Sequence, residues 1–106
     1  MPKYLFEAKY TPDGVRGLKE AGTSSRAKAI NDMASDLGGR LETFYFAFGD
    51  VDAYVVVDLP DDEAAAAAAF TVGASAATKV KTVKLLSLDE ADAAIARSVD
   101  YRPPGT

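Results

Sequence analysis

Apolar and polar residues alternate along the first ten residues of the chain. From Lys3 to Tyr10 every second side chain is apolar, which predicts a half-buried β-strand. One side of this strand carries Tyr4, Phe6, Ala8 and Tyr10, and the other carries Lys3, Leu5, Glu7 and Lys9. The pattern therefore indicates a sheet with one apolar face and one mixed face.

The segment from Arg40 to Leu59 is the richest in β-forming residues and predicts a hairpin around Gly49-Asp50-Val51-Asp52. If Phe48 and Ala53 close the loop, the numbers of paired residues sum to 101. One face is then wholly apolar, with Phe44, Phe46, Phe48, Ala53, Val55, Val57 and Leu59. The opposite face holds Thr43, Tyr45, Ala47, Tyr54, Val56 and Asp58. A slip by one residue would bury Asp58 against phenylalanines, which favours this register.

Three further segments predict helices. Ala27, Ile30, Ala34 and Leu37 fall at helical spacing, with Ser24 or Ser25 as the N-cap and Gly38-Gly39 as the stop. The run from Ala64 to Ala69 follows three acidic residues and predicts a second helix, which we expect to cover the phenylalanine face. Ser87 and Glu90 have the spacing of a capping box and predict a last helix.

Two shorter segments complete the pattern. Thr11-Pro12-Asp13-Gly14 predicts a turn, followed by a short helical turn from Val15 to Ala21. The segment from Thr78 to Leu86 predicts a fourth strand, interrupted by Lys79, Lys81 and Lys84. Lysines at such positions are typical of an edge strand that is protected against aggregation, and we favour this interpretation over an anion site.

In chain order these elements read βαββαβ with a helix added at the end, which indicates an α+β ferredoxin-like fold with an antiparallel sheet. In that topology the first and third strands are central and both helices cover one face. We expect the bare face to drive self-association into a dimeric α/β barrel or a higher homo-oligomer. Residues 1–99 form the predicted single domain, and residues 100–106 form a C-terminal tail.

Composition excludes several classes of partner. The chain has 106 residues and a formal net charge of −4, and its basic residues are scattered, so we expect no nucleic-acid partner. No apolar run approaches the roughly 20 residues that span a bilayer, so we expect no membrane partner. Met1-Pro2-Lys3 leads into a strand instead of a signal peptide, and a cytoplasmic location is the expectation.

The chain contains neither cysteine nor histidine, which removes disulfides, the usual general base and the proximal ligand of a haem. No phosphate-binding glycine loop, dinucleotide fingerprint or nucleophile elbow is present, so we predict no cofactor. An EF-hand loop begun at Asp50 would need glycine where Val55 stands. We therefore predict no metal site, and structural roles for Asp50 and Asp52.

The mixed face holds the candidate ligand-binding residues, which are Glu7, Thr43, Tyr45, Tyr54 and Asp58. Glu7 is also the one candidate for a catalytic residue, because a carboxylate on a central strand facing an enclosed space could act as a general base. The alternative for Glu7 is a salt bridge with Lys9 or with a lysine of a partner subunit. The tyrosines have two interpretations as well, as interface residues or as hydrogen-bond donors to a ligand.

Three stretches resemble the GYD-domain family of small bacterial proteins, which belongs with the dimeric α/β barrels. They are MPKYLFEAKYTPDGVRGL, LGGRLETFYFAFGDVDAYVVVDLPDDEAAAAAAF and LLSLDEAD. The family is named for a Gly-Tyr-Asp signature at the hairpin loop, and Val51 stands here where a tyrosine is usual. The resemblance implies the fold and no defined activity. Proteins of the same architecture include cofactor-independent monooxygenases, lactone isomerases and haem-degrading enzymes.

The leading functional hypothesis is a domain that binds a small, partly apolar metabolite inside a dimeric barrel. The alternatives are a cofactor-independent enzyme, similar to a monooxygenase or an isomerase, and a purely structural oligomerisation domain.

Overall fold

The computed structural model describes all 106 residues and has four strands and four helices. In chain order the elements are β1 (Lys3–Tyr10), α1 (Pro12–Ala21), α2 (Thr23–Asp36), β2 (Arg40–Phe46), β3 (Ala53–Asp58), α3 (Asp62–Ala74), β4 (Thr78–Leu85) and α4 (Leu88–Ile95). This order confirms the predicted α+β ferredoxin-like arrangement. The difference is α1, a full helix where the sequence predicts a turn and a short helical segment.

The sheet has the strand order β2-β3-β1-β4, and each neighbouring pair is antiparallel. The first and third strands are central, as predicted, and β4 is an edge strand. Helices α2 and α3 cover one face, which we call the helical face, and the opposite face is the open face. The core lies between the helices and the sheet and comprises Tyr4, Phe6, Ala8, Ile30, Ala34, Ala53, Val55, Val57, Leu59, Ala65 and Ala68.

Side chains cap three of the four helices. Thr11 accepts a hydrogen bond from the Gly14 amide at the start of α1, and Asp61 accepts one from the Ala64 amide at the start of α3. The predicted capping box of Ser87 and Glu90 opens α4. The predicted serine N-cap of α2 is wrong. Because α1 continues to Ala21, Gly22 alone links the two helices, and its positive φ of 86° suits glycine.

The predicted register of the hairpin is wrong by two residues. Phe46 pairs with Ala53 and Tyr45 with Tyr54, so the paired numbers sum to 99 from Thr43 to Phe46. The register shifts by one between Leu41 and Thr43, and Arg40 pairs with Asp58. The loop is longer than predicted because Asp52, its last residue, is bonded to β1. The Asp52 amide donates a hydrogen bond to the carbonyl of Ala8, and the Asp52 carboxylate accepts one from the Tyr10 amide at 2.9 Å. A shift of two residues keeps each side chain from Thr43 to Phe46 and in β3 on its predicted face, so the division into two faces holds there, whereas Ala47 and Phe48 lie in the loop.

The three phenylalanines do not pack beneath the Ala-rich helix as expected. Phe48 lies in the loop and is fully exposed, Phe46 is partly exposed, and Phe44 packs against the edge of the core. The strand order explains this, because β2 is the edge strand beneath α2, whereas α3 lies over the β4 side of the sheet. Tyr4, Val57 and Leu59 are instead the largest fully buried side chains.

Helix α4 projects from the body of the fold. None of its residues is buried, and the large apolar residues of α4 and of the segment after it are at least three-quarters exposed, namely Leu88, Ile95, Val99 and Tyr101. The radius of gyration is 16.8 Å, against about 13 Å for a compact chain of this length. The apolar stripe of α4 therefore has no partner within its own chain. None of the four helices combines the length and apolar character needed to cross a bilayer.

The burial pattern predicts opposite outcomes for two apolar residues near the hairpin. Leu59 has no exposed surface, so Leu59→Ala should lower the free energy of unfolding by about 2 to 5 kcal/mol. The matched control is Phe48→Ala, which removes a larger side chain that is already in solvent. This variant should change the free energy of unfolding by about 0.5 kcal/mol or less. Urea unfolding measures both values. A larger loss for Phe48→Ala than for Leu59→Ala would contradict the observed hairpin.

Candidate functional site

The sheet register aligns four functional side chains across the open face. Tyr45 pairs with Tyr54, Tyr54 with Glu7, and Glu7 with Lys81. Since neighbouring strands lie about 4.8 Å apart, these side chains form a row roughly 14 Å long, which we call the central row. It crosses all four strands of the sheet, with Tyr54 and Glu7 on the two central ones.

The groups of the central row have no bonding partner within the chain. Tyr45 is 70% exposed and Tyr54 is 40% exposed, Lys81 is exposed, and Glu7 is half-buried. None of their side chains makes a hydrogen bond or a salt bridge inside the chain. Two phenols, a carboxylate and an ammonium group are thus free to bind a further molecule.

The two sides of the central row differ in character. On one side lies an apolar row, in which Leu5 pairs with Val56 and Val83. On the other side Lys9 pairs with Lys79. Between these lysines and Glu7 is an open depression of about 320 Å³, also lined by Val51. The open face therefore changes from apolar to basic along the strand direction, with the central row between the two parts.

Val51 lies in the hairpin loop between β2 and β3. It is half-buried and lines the same depression as Glu7 and Lys81. A valine provides no hydroxyl there, so the polar side chains that line the depression are Glu7 and the three lysines, Lys9, Lys79 and Lys81.

Asp58 anchors one end of the open face. Its side chain is only 6% exposed, and its two carboxylate oxygens accept hydrogen bonds from Lys3 Nζ at 2.8 Å and from Arg40 Nε at 2.9 Å. The bond from Lys3, assisted by Arg40, lowers the pKa of Asp58 below its ordinary value, and Asp58 in turn raises the pKa of Lys3. The three residues are also register partners, so this bonding aligns β2, β3 and β1.

A close backbone contact between Gly39 and Asp58 also holds β2 beside β3 at this end of the sheet. Gly39 lies directly before β2, and a Cβ atom there would come within 1.9 Å of the Asp58 carbonyl oxygen. Only glycine allows β2 to start this close to the end of β3. The approach brings Arg40, the next residue, within reach of the Asp58 carboxylate.

The structure brings together three of the five predicted ligand-binding residues. Glu7, Tyr45 and Tyr54 lie in the central row, and Thr43 lies in the adjacent apolar row opposite Val56. Asp58 lies one row further from the central row, beside Lys3, and both oxygens of its carboxylate already accept hydrogen bonds. We therefore assign Asp58 a structural role and keep the other four as candidates.

Lys81 is a site residue that the sequence pattern does not identify. The pattern of the fourth strand indicates edge protection for this lysine, and its place beside Glu7 depends on the pairing of β1 with β4. These strands are about 70 residues apart in the chain, and no local pattern sets their register. The sequence does indicate the face of the sheet on which Lys81 lies. Lys79 and Lys81 alternate with Val80, and Val80 lies on the helical face, so both lysines lie on the open face.

Comparison with known proteins gives one result. A family model described as GYD domain matches residues 4–95 of the 106 residues. The match contains the whole central row and all eight elements apart from the first residue of β1. No curated protein and no solved structure matches the chain.

The Asp58 anchor predicts a specific dependence of stability on pH. Folding lowers the pKa of Asp58 below its ordinary value of 3.8. The stabilisation of the fold by the Asp58 carboxylate is therefore complete above pH 3.8 and is lost as the pH falls below that value. At pH 7 Asp58→Asn should lower the free energy of unfolding by about 1 to 3 kcal/mol. Below pH 3.8 the difference from the unmodified chain should shrink. Urea unfolding across this pH range measures it.

Asp32 provides the matched control for this experiment. It pairs with Lys28 on the exposed surface of α2, so Asp32→Asn should change stability little at any pH. A deficit of Asp58→Asn that stays constant down to pH 2 would contradict the electrostatic role.

Proposed function

This chain belongs to the GYD-domain family, and we propose that two copies pair through their open faces and bind a small, partly apolar compound between them. The observation that carries the proposal is the central row. Glu7 is half-buried on a central strand and bonded to no side chain, with a tyrosine on one side and a lysine on the other. A face with this composition requires a covering partner, because it is too apolar for water and too polar for a core.

Pairing through the open face accounts for two unpartnered surfaces at once. In a twofold symmetric pair the apolar row of Leu5, Val56 and Val83 meets the open face of the other copy. The exposed apolar stripe of α4 extends beyond the sheet and can reach the same partner. Both surfaces would be buried against a second copy of the same chain.

The composition of the face indicates the type of compound. The apolar row supplies hydrophobic contact, the tyrosine hydroxyls can donate or accept hydrogen bonds, and Lys81 can pair with an acidic group. Such a combination of an apolar wall with a few convergent polar groups is typical of small-molecule sites. The depression beside Glu7 provides space next to the central row.

A cofactor-independent enzyme is the second candidate, and the same observation favours it. An unbonded carboxylate between Tyr54 and Lys81 has the position of a general base, with a phenol and an ammonium group beside it to stabilise developing negative charge. Both candidate functions require the same enclosed space between two paired open faces. They differ in whether the bound compound undergoes a chemical reaction.

Pairing through the open face predicts the effect of a charge placed at its centre. Leu5→Asp puts a carboxylate in the apolar row, so a dimer formed through this face should dissociate to the monomer mass of 11.2 kDa. Phe70→Asp makes the same type of change on the exposed surface of α3 and should leave the mass of the assembly unchanged. Light scattering measures the mass, and circular dichroism checks that both variants are folded. Dissociation by Phe70→Asp alone would place the interface on the helical side.

A screen for stabilising compounds tests the binding function. At 100 times its dissociation constant a ligand stabilises the fold by about 2.7 kcal/mol, which raises the melting temperature by roughly 10 °C or more for a domain of this size. Glu7→Gln keeps the shape and removes the charge. In a binding protein it should weaken the affinity for the compound found, whereas in an enzyme it should abolish turnover while the fold persists.

The matched variant for this screen is Tyr54→Phe, which removes one hydroxyl from the same row. It should weaken binding by about tenfold, the value of a typical hydrogen bond, with little loss of stability. If polar and aromatic compounds all fail to stabilise the chain, the structural alternative is favoured.

A further inference from the structure

The register places two lysines directly opposite each other on the open face. Lys9 of β1 pairs with Lys79 of β4, and the stems of such partners start about 5 Å apart. Like charges in this position destabilise a sheet. Lys81 lies two residues further along β4 on the same face, diagonal to Lys9 and about 7 to 8 Å from it. Three ammonium groups on flexible stems can therefore converge on one point above the sheet.

The same three lysines line the open depression of about 320 Å³. Glu7 is the one acidic residue that lines it, so three ammonium groups face a single carboxylate. Lys79 and Lys81 bond to no group of the chain, and Lys9 Nζ donates to the carbonyl of Asp50 at 3.1 Å. A chain with a formal net charge of −4 thus keeps an excess of positive charge at this place.

Protection of the edge strand does not account for this cluster. It requires charged side chains along β4 alone, and Lys84 meets that requirement on the other side of the sheet, where it pairs with Asp62 at 3.0 Å. Lys9 lies on a central strand, where no edge needs protection. A third lysine placed opposite Lys79 therefore indicates a bound anion.

We propose that Lys9, Lys79 and Lys81 bind the phosphate group of a phosphate monoester, whose organic part lies over the central row. Such a group carries close to two negative charges at neutral pH and has three acceptor oxygens, which matches three ammonium groups. Lysine binds phosphate as a compact point charge, whereas a planar carboxylate is best held by the fork of an arginine. No arginine lines the depression. The inference rests on the proposed function, since it specifies the charged group of the compound that the open faces enclose.

A covering second copy makes the anion more important. Pairing through the open faces takes ammonium groups out of water, which costs free energy unless each is paired. Glu7 can neutralise Lys81, its register partner, and a dianionic phosphate can neutralise Lys9 and Lys79. The charges in the depression are then balanced, so binding of the phosphate and pairing of the two copies support each other.

Calorimetric titration of the full chain tests the assignment with phenyl phosphate, benzoate and inorganic phosphate at constant ionic strength. At about pH 7.5 phenyl phosphate is a dianion, because the second pKa of a phosphate monoester is about 6. It should bind at least about tenfold more tightly than benzoate, which has the ring and one charge, or inorganic phosphate, which lacks the ring. Equal affinity for benzoate, or no saturable binding of phenyl phosphate, would overturn the proposal. Equal affinity for inorganic phosphate would overturn the monoester.

Two variants of β4 locate the binding site. Lys79→Met keeps an apolar stem of similar length and removes one ammonium group, so the affinity for phenyl phosphate should fall about tenfold or more. The matched control is Lys84→Met, which changes a lysine on the other side of the same strand and should leave the affinity unchanged. Since Lys79→Met also removes repulsion from Lys9, the melting temperature without ligand should not fall. Equal losses of affinity in the two variants would overturn the assignment.

Light scattering on the same samples separates this inference from the proposed function. A dimer that binds phenyl phosphate and benzoate equally would overturn the phosphate site and leave the pairing intact. All three lysines belong to one chain, so a monomer that prefers phenyl phosphate would support the phosphate site and contradict only the pairing.

Discussion

The alternation of side chains along β1 is the constraint on which both faces of this molecule depend. Tyr4, Phe6 and Ala8 are all less than 10% exposed beneath the helices, so Leu5 and Glu7 must point to the opposite side. A shift of β1 by one residue would move the core side chains into solvent and Glu7 into the core. Because β1 pairs with β3 and β4, this constraint also sets the rows on the open face.

Polar contacts at the strand ends hold the alignment and leave the centre of the open face free. Asp58 accepts bonds from Lys3 and Arg40 at one end, and Asp52 is bonded to β1 at the other. On the helical side the Tyr4 hydroxyl donates to Asp62 at 2.6 Å, which ties β1 to the start of α3. Burial, together with this bond, raises the pKa of Tyr4 to about 12, so Tyr4 remains a donor.

Local patterns predicted the strands, most helix ends and the division of the sheet into two faces, because periodicity and capping act over a few residues. They did not predict the length of the hairpin loop, since contacts with β1 set the position of Asp52. The place of Lys81 beside Glu7 depends on the pairing of distant strands.

Intermolecular nuclear Overhauser effects show whether a second copy covers the open face. A mixture of isotope-labelled and unlabelled chains reports only contacts between copies. We expect such contacts at the methyl groups of Leu5, Val56 and Val83 on the open face, and none at Val57 or Ile30 in the core. Intermolecular contacts confined to the helical side, or none at protein concentrations used for NMR, would contradict pairing through the open face.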